Sequence, residues 1–236
     1  MGITQQEARD AIVGSPAPIL FIDTCIFLDI VRSPVRDNID ANSAQLAQTL
    51  CTYAQKTPRE VWLVTSATVR AEWLENIPNV KLEVSREIRK LEKRRRHFLS
   101  SAAAANSVQY AYGISEGSLQ LEARLESISR ALLDECLVIA PEDIHLIRAM
   151  QRIKQYRPPS RRGKSEPKDC EIFEVFLGLC GEFRTTGFHE KLLFASSNTT
   201  DYAGDNAAGI EQELNEVNGK FVDSLPWAVA AIEGRA

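Results

Sequence analysis

Nowhere do the 236 residues stay apolar for the roughly 18 positions that a membrane-crossing helix requires, so no membrane role is expected. The opening MGITQQEARD has no basic stretch followed by an apolar one. That is not a signal-peptide pattern, and the expected location is the cytoplasm. Cysteine is sparse: Cys25, Cys51, Cys136, Cys170 and Cys180 are scattered through apolar stretches, with no CxxC pair and no nearby histidine. Neither a zinc site nor a disulfide framework fits that spacing, and the five read as reduced core residues. His97, His145 and His189 stand apart from any serine and aspartate arrangement and read as decorations of helices or turns. Glycine-rich phosphate loops of the G-x-G-x-x-G or G-x-x-x-x-G-K-[ST] kind are missing, and with them the signature of dinucleotide binding or nucleotide hydrolysis. An excess of positive charge is missing too. With a formal net charge of −4, nucleic acid could be held only by local patches.

Two such patches are present. Lys93, Arg94, Arg95, Arg96 and His97 form one run, and Lys154, Arg157, Arg161, Arg162, Lys164 and Lys168 crowd a second segment broken by Pro158, Pro159 and Gly163. The plain alternative for each is a solvated face or loop. Ile19-Leu20-Phe21-Ile22 is a short continuous apolar run of the kind a parallel strand buried on both faces produces. Similar runs follow at Val61–Val64, Leu137–Ile139 and Leu192–Ala195, with an edge strand around Lys220 to Val222. Between them, helical spacing marks residues 41 to 55, a helix capped by Ser66 or Thr68, a helix from 142 to 156 and another from near 166.

Residues 80 to 133 read as long charged helices with a break at Gly113 and Gly117. Val84, Ile88, Leu91 and Phe98 form one apolar stripe, and Leu121, Leu125, Ile128 and Leu132 another. Strands alternating with helices predict a three-layer α/β/α fold around a central, mostly parallel sheet. Residues 1–236 then form one domain, with 80–133 as a helical insertion.

Open α/β sheets bind ligands beyond the carboxyl ends of their strands, so acids placed there are candidate site residues. Asp23 follows the first strand, Glu72 lies in the first turns after the second, and Asp201 belongs to the turn after the fourth. Asp169 opens a helix. At 100° per residue it shares a face with Ile172, Phe173, Phe176 and Cys180, whereas Glu171 and Glu174 project oppositely. A carboxylate at the end of an apolar stripe is costly to bury unless a cation or donors meet it. Glu72 borders the stripe of Val69, Trp73 and Ile77, while Glu75 faces away. The competing readings are an N-cap for Asp23, a helix-dipole acid for Asp169 and a solvated flank for Glu72. Asp29, inside the helix after Asp23, is the weaker candidate.

The segments ILFIDTCIFLDI, TSATVRAEWLEN, KSEPKDCEIFEVFLG and LLFASSNTTDY together resemble a PIN domain: a strand ending in Asp, a Glu after strand two, an Asp opening a later helix, and a final polar turn. The resemblance implies that Asp23, Glu72, Asp169 and Asp201 are catalytic and hold Mg²⁺ or Mn²⁺. It also implies a metal-dependent nuclease, an endoribonuclease acting on single-stranded or structured RNA. Asn198, Thr199, Arg161, Arg162, Lys164 and Lys168 would then bind substrate. A toxin of a toxin-antitoxin pair, with an antitoxin or a second copy as partner, fits the same family. The sequence departs from the family at Thr199, where an Asp is common two residues before the acid that precedes the final aromatic. That departure motivates the alternative of a non-catalytic nucleic-acid or protein-binding module. A haloacid-dehalogenase-like phosphatase is disfavoured because Cys25 stands where a second Asp would act as general acid.

Overall fold

The computed structural model describes residues 2–108, 113, 119–204 and 207–235; Gly117, assigned above to a break between helices, lies outside them. In chain order the elements are α1 (Gln5–Val13), β1 (Ile19–Ile22), α2 (Thr24–Arg32), α3 (Ser43–Gln55), β2 (Trp62–Ser66), α4 (Ala67–Asn106) and α5 (Leu121–Glu135). They continue with β3 (Leu137–Ile139), α6 (Asp143–Lys154), α7 (Pro167–Thr185), β4 (Leu192–Ala195), α8 (Thr199–Tyr202), α9 (Ala207–Glu216), β5 (Gly219–Val222) and α10 (Leu225–Ile232).

Among the described residues five strands form one sheet in the order β3-β2-β1-β4-β5, and every neighbouring pair is parallel. The chain steps outward from β1 to β2 to β3, then returns to the far side of β1 with β4 and β5. Right-handed crossovers therefore place the strand-connecting helices of the first half on one face and those of the second half on the other, with the terminal helices α1 and α10 each packing on the opposite set. Accordingly α2, α3, α5, α10 and the start of α4 pack together, and α1 and α6 pack on α7, giving three layers. The reversal leaves a crevice between the carboxyl ends of β1 and β4.

The three interior strands are buried along their whole length, as expected of a parallel sheet covered on both sides. β2 starts one residue later than its apolar run and extends through Thr65 and Ser66. Both polar side chains are satisfied there: Thr65 Oγ1 donates to Ile22 O at 2.8 Å, and Ser66 caps α4 by accepting from the Val69 N–H. The outer edge of β3 is covered by the amino-terminal segment, where Ile3 N–H donates to Val138 O and Ala140 N–H to Ile3 O, each at 2.8 Å.

Helix α4 runs unbroken through 40 residues, about 60 Å at 1.5 Å per residue, so position 80 lies within a helix begun at the sheet. Its buried stripe is Val69, Trp73, Ile77, Val80, Val84 and Ile88. The expected continuation to Leu91 and Phe98 does not hold: they are 49% and 70% exposed. Beyond Ile88 none of the helix's remaining residues is buried. On α5, Leu125 and Leu132 are buried as expected.

Phe194 of β4 anchors an aromatic cluster with Phe21, Phe173, Phe176, Tyr202 and Phe221, with ring centroids 5.1–6.3 Å away. The cluster lies beneath the crevice and supports it, because Tyr202 Oη donates to the Asp169 carbonyl. No helix among the described residues is long and apolar enough to cross a membrane.

Candidate functional site

Asp23 follows β1 directly, with extended backbone, and is both the N-cap of α2 and a wall of the crevice. One carboxylate oxygen accepts from the Thr24 N–H at 2.7 Å. The other accepts from Ser196 Oγ at 2.7 Å and from the Cys25 thiol at 3.2 Å. The side chain is buried, and desolvation raises its pKa against the pull of these three donors, with Glu72 adding a smaller push. Cys25, expected in the core, stands half-buried at the site. Burial and the Asp23 charge keep its thiol protonated, which suits its donor role.

Glu72 comes from the second turn of α4, itself launched without a loop from β2. Its Oε2 accepts from Thr24 Oγ1 at 2.6 Å, and Lys168 Nζ stands 3.5 Å from Oε1. Lys168 also reaches Glu75 at 3.2 Å, so Glu75 shares a cation with Glu72 rather than facing wholly away. Asp169 lies in the first turn of α7, behind a proline at the helix start. Burial first, then the neighbouring carboxylates Asp23, Glu166, Glu72 and Asp201, push its pKa up to about 8.

The fourth acid, Asp201, is buried in α8. Lys164 Nζ reaches its Oδ2 at 2.7 Å, and Arg161 stands 3.9 Å from Oδ1. Burial raises its pKa, but hydrogen bonds from Lys164 and Asn198 and the two positive charges outweigh that and hold it below the usual range. Oδ1 is a buried acceptor without a hydrogen-bond partner. Asn198 Nδ2 joins two acids, donating to Asp201 at 2.9 Å and to Asp169 at 3.2 Å.

The basic loop reaches the crevice through a tight turn in which Arg161 and Lys164 exchange backbone hydrogen bonds of 3.0 Å. Gly163 takes φ +82° at its tip, a conformation that favours glycine. Arg162 is exposed beside it and is not brought to the acids. Buried Arg152 secures the base of the loop, donating to Pro158 O and pairing with Glu174 and Glu213. Glu174, expected to project away from the packed face of α7, is therefore buried as well: α7 is covered by α6 on that side, and Arg152 supplies the countercharge.

Two contributors escaped the sequence reading: Ser196 and Thr24 position two acids. Asp29, the weaker candidate, accepts from Ser197 Oγ at 2.5 Å. Hydroxyls immediately following strand ends were the available signal for the first two. Thr199 is exposed at the start of α8 and borders a recess of about 360 Å³ lined by Asp29, Asp40, Asp223, Ser197 and Leu225.

Among the described residues no group of three or more His, Cys, Asp or Glu side chains is gathered tightly enough to hold an ion by itself. The four acids instead divide into two kinds. Glu72 and Asp201 have lysine partners, whereas no lysine or arginine among the described residues pairs with Asp23 or Asp169. An all-oxygen donor set with two uncompensated carboxylates suits a hydrated hard cation such as Mg²⁺, which keeps several waters and needs one or two carboxylates.

A parallel α/β/α sandwich with an acidic crevice at its strand-order reversal defines the class: an α/β protein with its candidate site beyond the carboxyl ends of the strands. The PIN domain family model matches residues 20–202, and the chain belongs to the PIN domain family, whose members are generally metal-dependent nucleases. Neither the curated proteins nor the solved structures give a significant match.

Proposed function

We propose that this protein is a metal-dependent phosphodiesterase that hydrolyses single-stranded RNA endonucleolytically. The observation that carries the reading is the pair Asp23 and Asp169, one buried and one half-buried carboxylate at the switch point, with no salt-bridge partner among the described residues. Such a pair is repulsive on its own and is relieved by a cation. Asp23 and Asp169 would hold Mg²⁺ or Mn²⁺ directly, with Glu72 completing the acidic edge and Asp201 behind it. When bound, the metal supplies a water of lowered pKa and neutralises charge developing on the phosphate.

The chain's own residues do the rest. Ser196, Cys25 and the Thr24 N–H fix the orientation of Asp23, and Thr24 Oγ1 fixes Glu72. Asn198 sets the relation between Asp169 and Asp201, while Arg161, Lys164 and Lys168 border the acids, where they would steady the phosphates flanking the scissile bond. Arg162 and Thr199, both exposed, would meet the strand farther out. Residues 1–236 are proposed as one PIN-like domain with 80–133 as its helical insertion. A cytoplasmic toxin restrained by an antitoxin or a second copy is the biological setting this reading favours.

The test is cleavage of end-labelled single-stranded RNA with Mg²⁺, Mn²⁺ or EDTA, comparing wild type with Asp23→Asn. Metal-dependent cutting that the variant loses is the expected result; no cutting of RNA by wild type with either metal overturns it. A second reading, a non-catalytic binding module, is favoured by the lysines already seated on Glu72 and Asp201 and by Thr199. It predicts RNA or protein binding that is unchanged in Asp23→Asn, with no cleavage.

A further inference from the structure

Between Arg86 and Arg96 helix α4 carries seven basic residues against two acidic ones, in a chain whose net charge is −4. All seven are exposed. The segment repeats like charges one turn apart, at Arg86/Lys90, Arg89/Lys93 and Lys90/Arg94, which works weakly against the helix at each pair, and Glu87 offsets only part of this by holding Lys90 at 2.7 Å. Past Ile88 no buried residue anchors the helix, so packing does not explain why this charge is concentrated here.

Helical geometry links the charge to the acidic crevice. Eighteen residues of α-helix complete five turns, about 27 Å, so Lys90 stands at the same azimuth as Glu72. Arg86, Lys93, Arg94 and His97 fall within about 60° of that line, on the exposed face that borders the buried stripe ending at Val84 and Ile88. Glu83 lies on the same line between the two regions. It is held by Arg36 at 2.7 Å and Arg32 at 3.3 Å, so the intervening surface is not a negative barrier.

We propose that this face of α4, from Arg86 to His97, is a backbone track for the RNA strand whose scissile bond lies at Asp23 and Asp169. It would grip phosphates about six to eleven nucleotides along a stacked strand at ~3.4 Å each, and would set a minimum substrate length on one side of the cut. The inference rests on RNA being the substrate.

Binding of fluorescein-labelled uridine-rich RNAs, a hexamer and a strand of about 20 nucleotides, tests it by anisotropy in EDTA. The parent is the Asp23→Asn protein, and the second protein adds Arg86→Gln, Lys90→Gln, Lys93→Gln and Arg94→Gln. Glutamine is a good helix former, and circular dichroism verifies that helical content is kept. The expected result is about a tenfold or larger loss of affinity for the long strand, with the hexamer changed by less than about twofold. The slope of log affinity against log salt should fall by about two to three, at ~0.7 for each phosphate that is no longer neutralised. Equal affinity and equal slope for the long strand in both proteins overturn the track while leaving the RNA reading intact. Failure of the parent to bind either RNA, with no cleavage by wild type, overturns both.

Discussion

Asp169 sits among Asp23, Glu72, Glu166 and Asp201, and its carboxyl is pushed up to about 8, chiefly by burial and then by these neighbours. In the unfolded chain the same group loses its proton near 4, so between those values the folded state holds a proton that the unfolded state has released. Stability of the metal-free protein is therefore expected to fall as pH rises from 5 to 8, by at most about 1.4 kcal/mol per pH unit, and to level off above that range. Asp23, also raised, contributes in the same direction. Thermal unfolding in EDTA across this range, in wild type and Asp169→Asn, checks the sign: the variant should give a flatter profile, and an equally steep one would contradict the assignment. The placement of Asp23 and Asp169 was legible from chain position and helical phase. The hydroxyl of Ser196 was not, because it reaches Asp23 only when β4 pairs beside β1.

At the scale of elements, Arg152 of α6 ties α7, α9 and the basic loop together through Glu174, Glu213 and Pro158 O. Removing one partner from a buried ion network leaves charges without compensation. Arg152→Ala is therefore expected to lower stability by about 3–5 kcal/mol in urea unfolding. A loss below about 1 kcal/mol would show that the network is not a clamp. In a nuclease that needs the loop, the same variant should lose RNA affinity along with stability. The strands were legible as short apolar runs, three of them with the expected bounds and the other two to within a residue or two. Helices α1 and α10 were missed for different reasons: α1 is mostly polar and is defined by the Thr4–Glu7 capping box, whereas LPWAVAAI of α10 has no polar face to reveal a helical period. The extent of burial along α4 was overestimated because an apolar stripe shows which face is apolar, not where the packing partner ends.

Across the whole molecule, the central strands and the aromatic cluster around Phe194 join the sheet to the crevice above it. Truncating that ring opens a cavity touching both layers, and Phe194→Ala is expected to cost about 3–5 kcal/mol. If residues 1–236 are one cooperative unit, that loss should move tryptophan fluorescence and far-ultraviolet circular dichroism together. Separate midpoints would instead divide the chain. The sequence by itself determined the parallel α/β class, the strand identities and four acids placed after strands or at a helix start, because burial on two faces and helical periodicity are written locally. Only the tertiary structure decided which acids have lysine partners, that Cys25 and Ser196 serve Asp23, and that the basic run of α4 shares the azimuth of Glu72. Those facts depend on strand order and helix continuity, which bring residues up to 173 positions apart into contact.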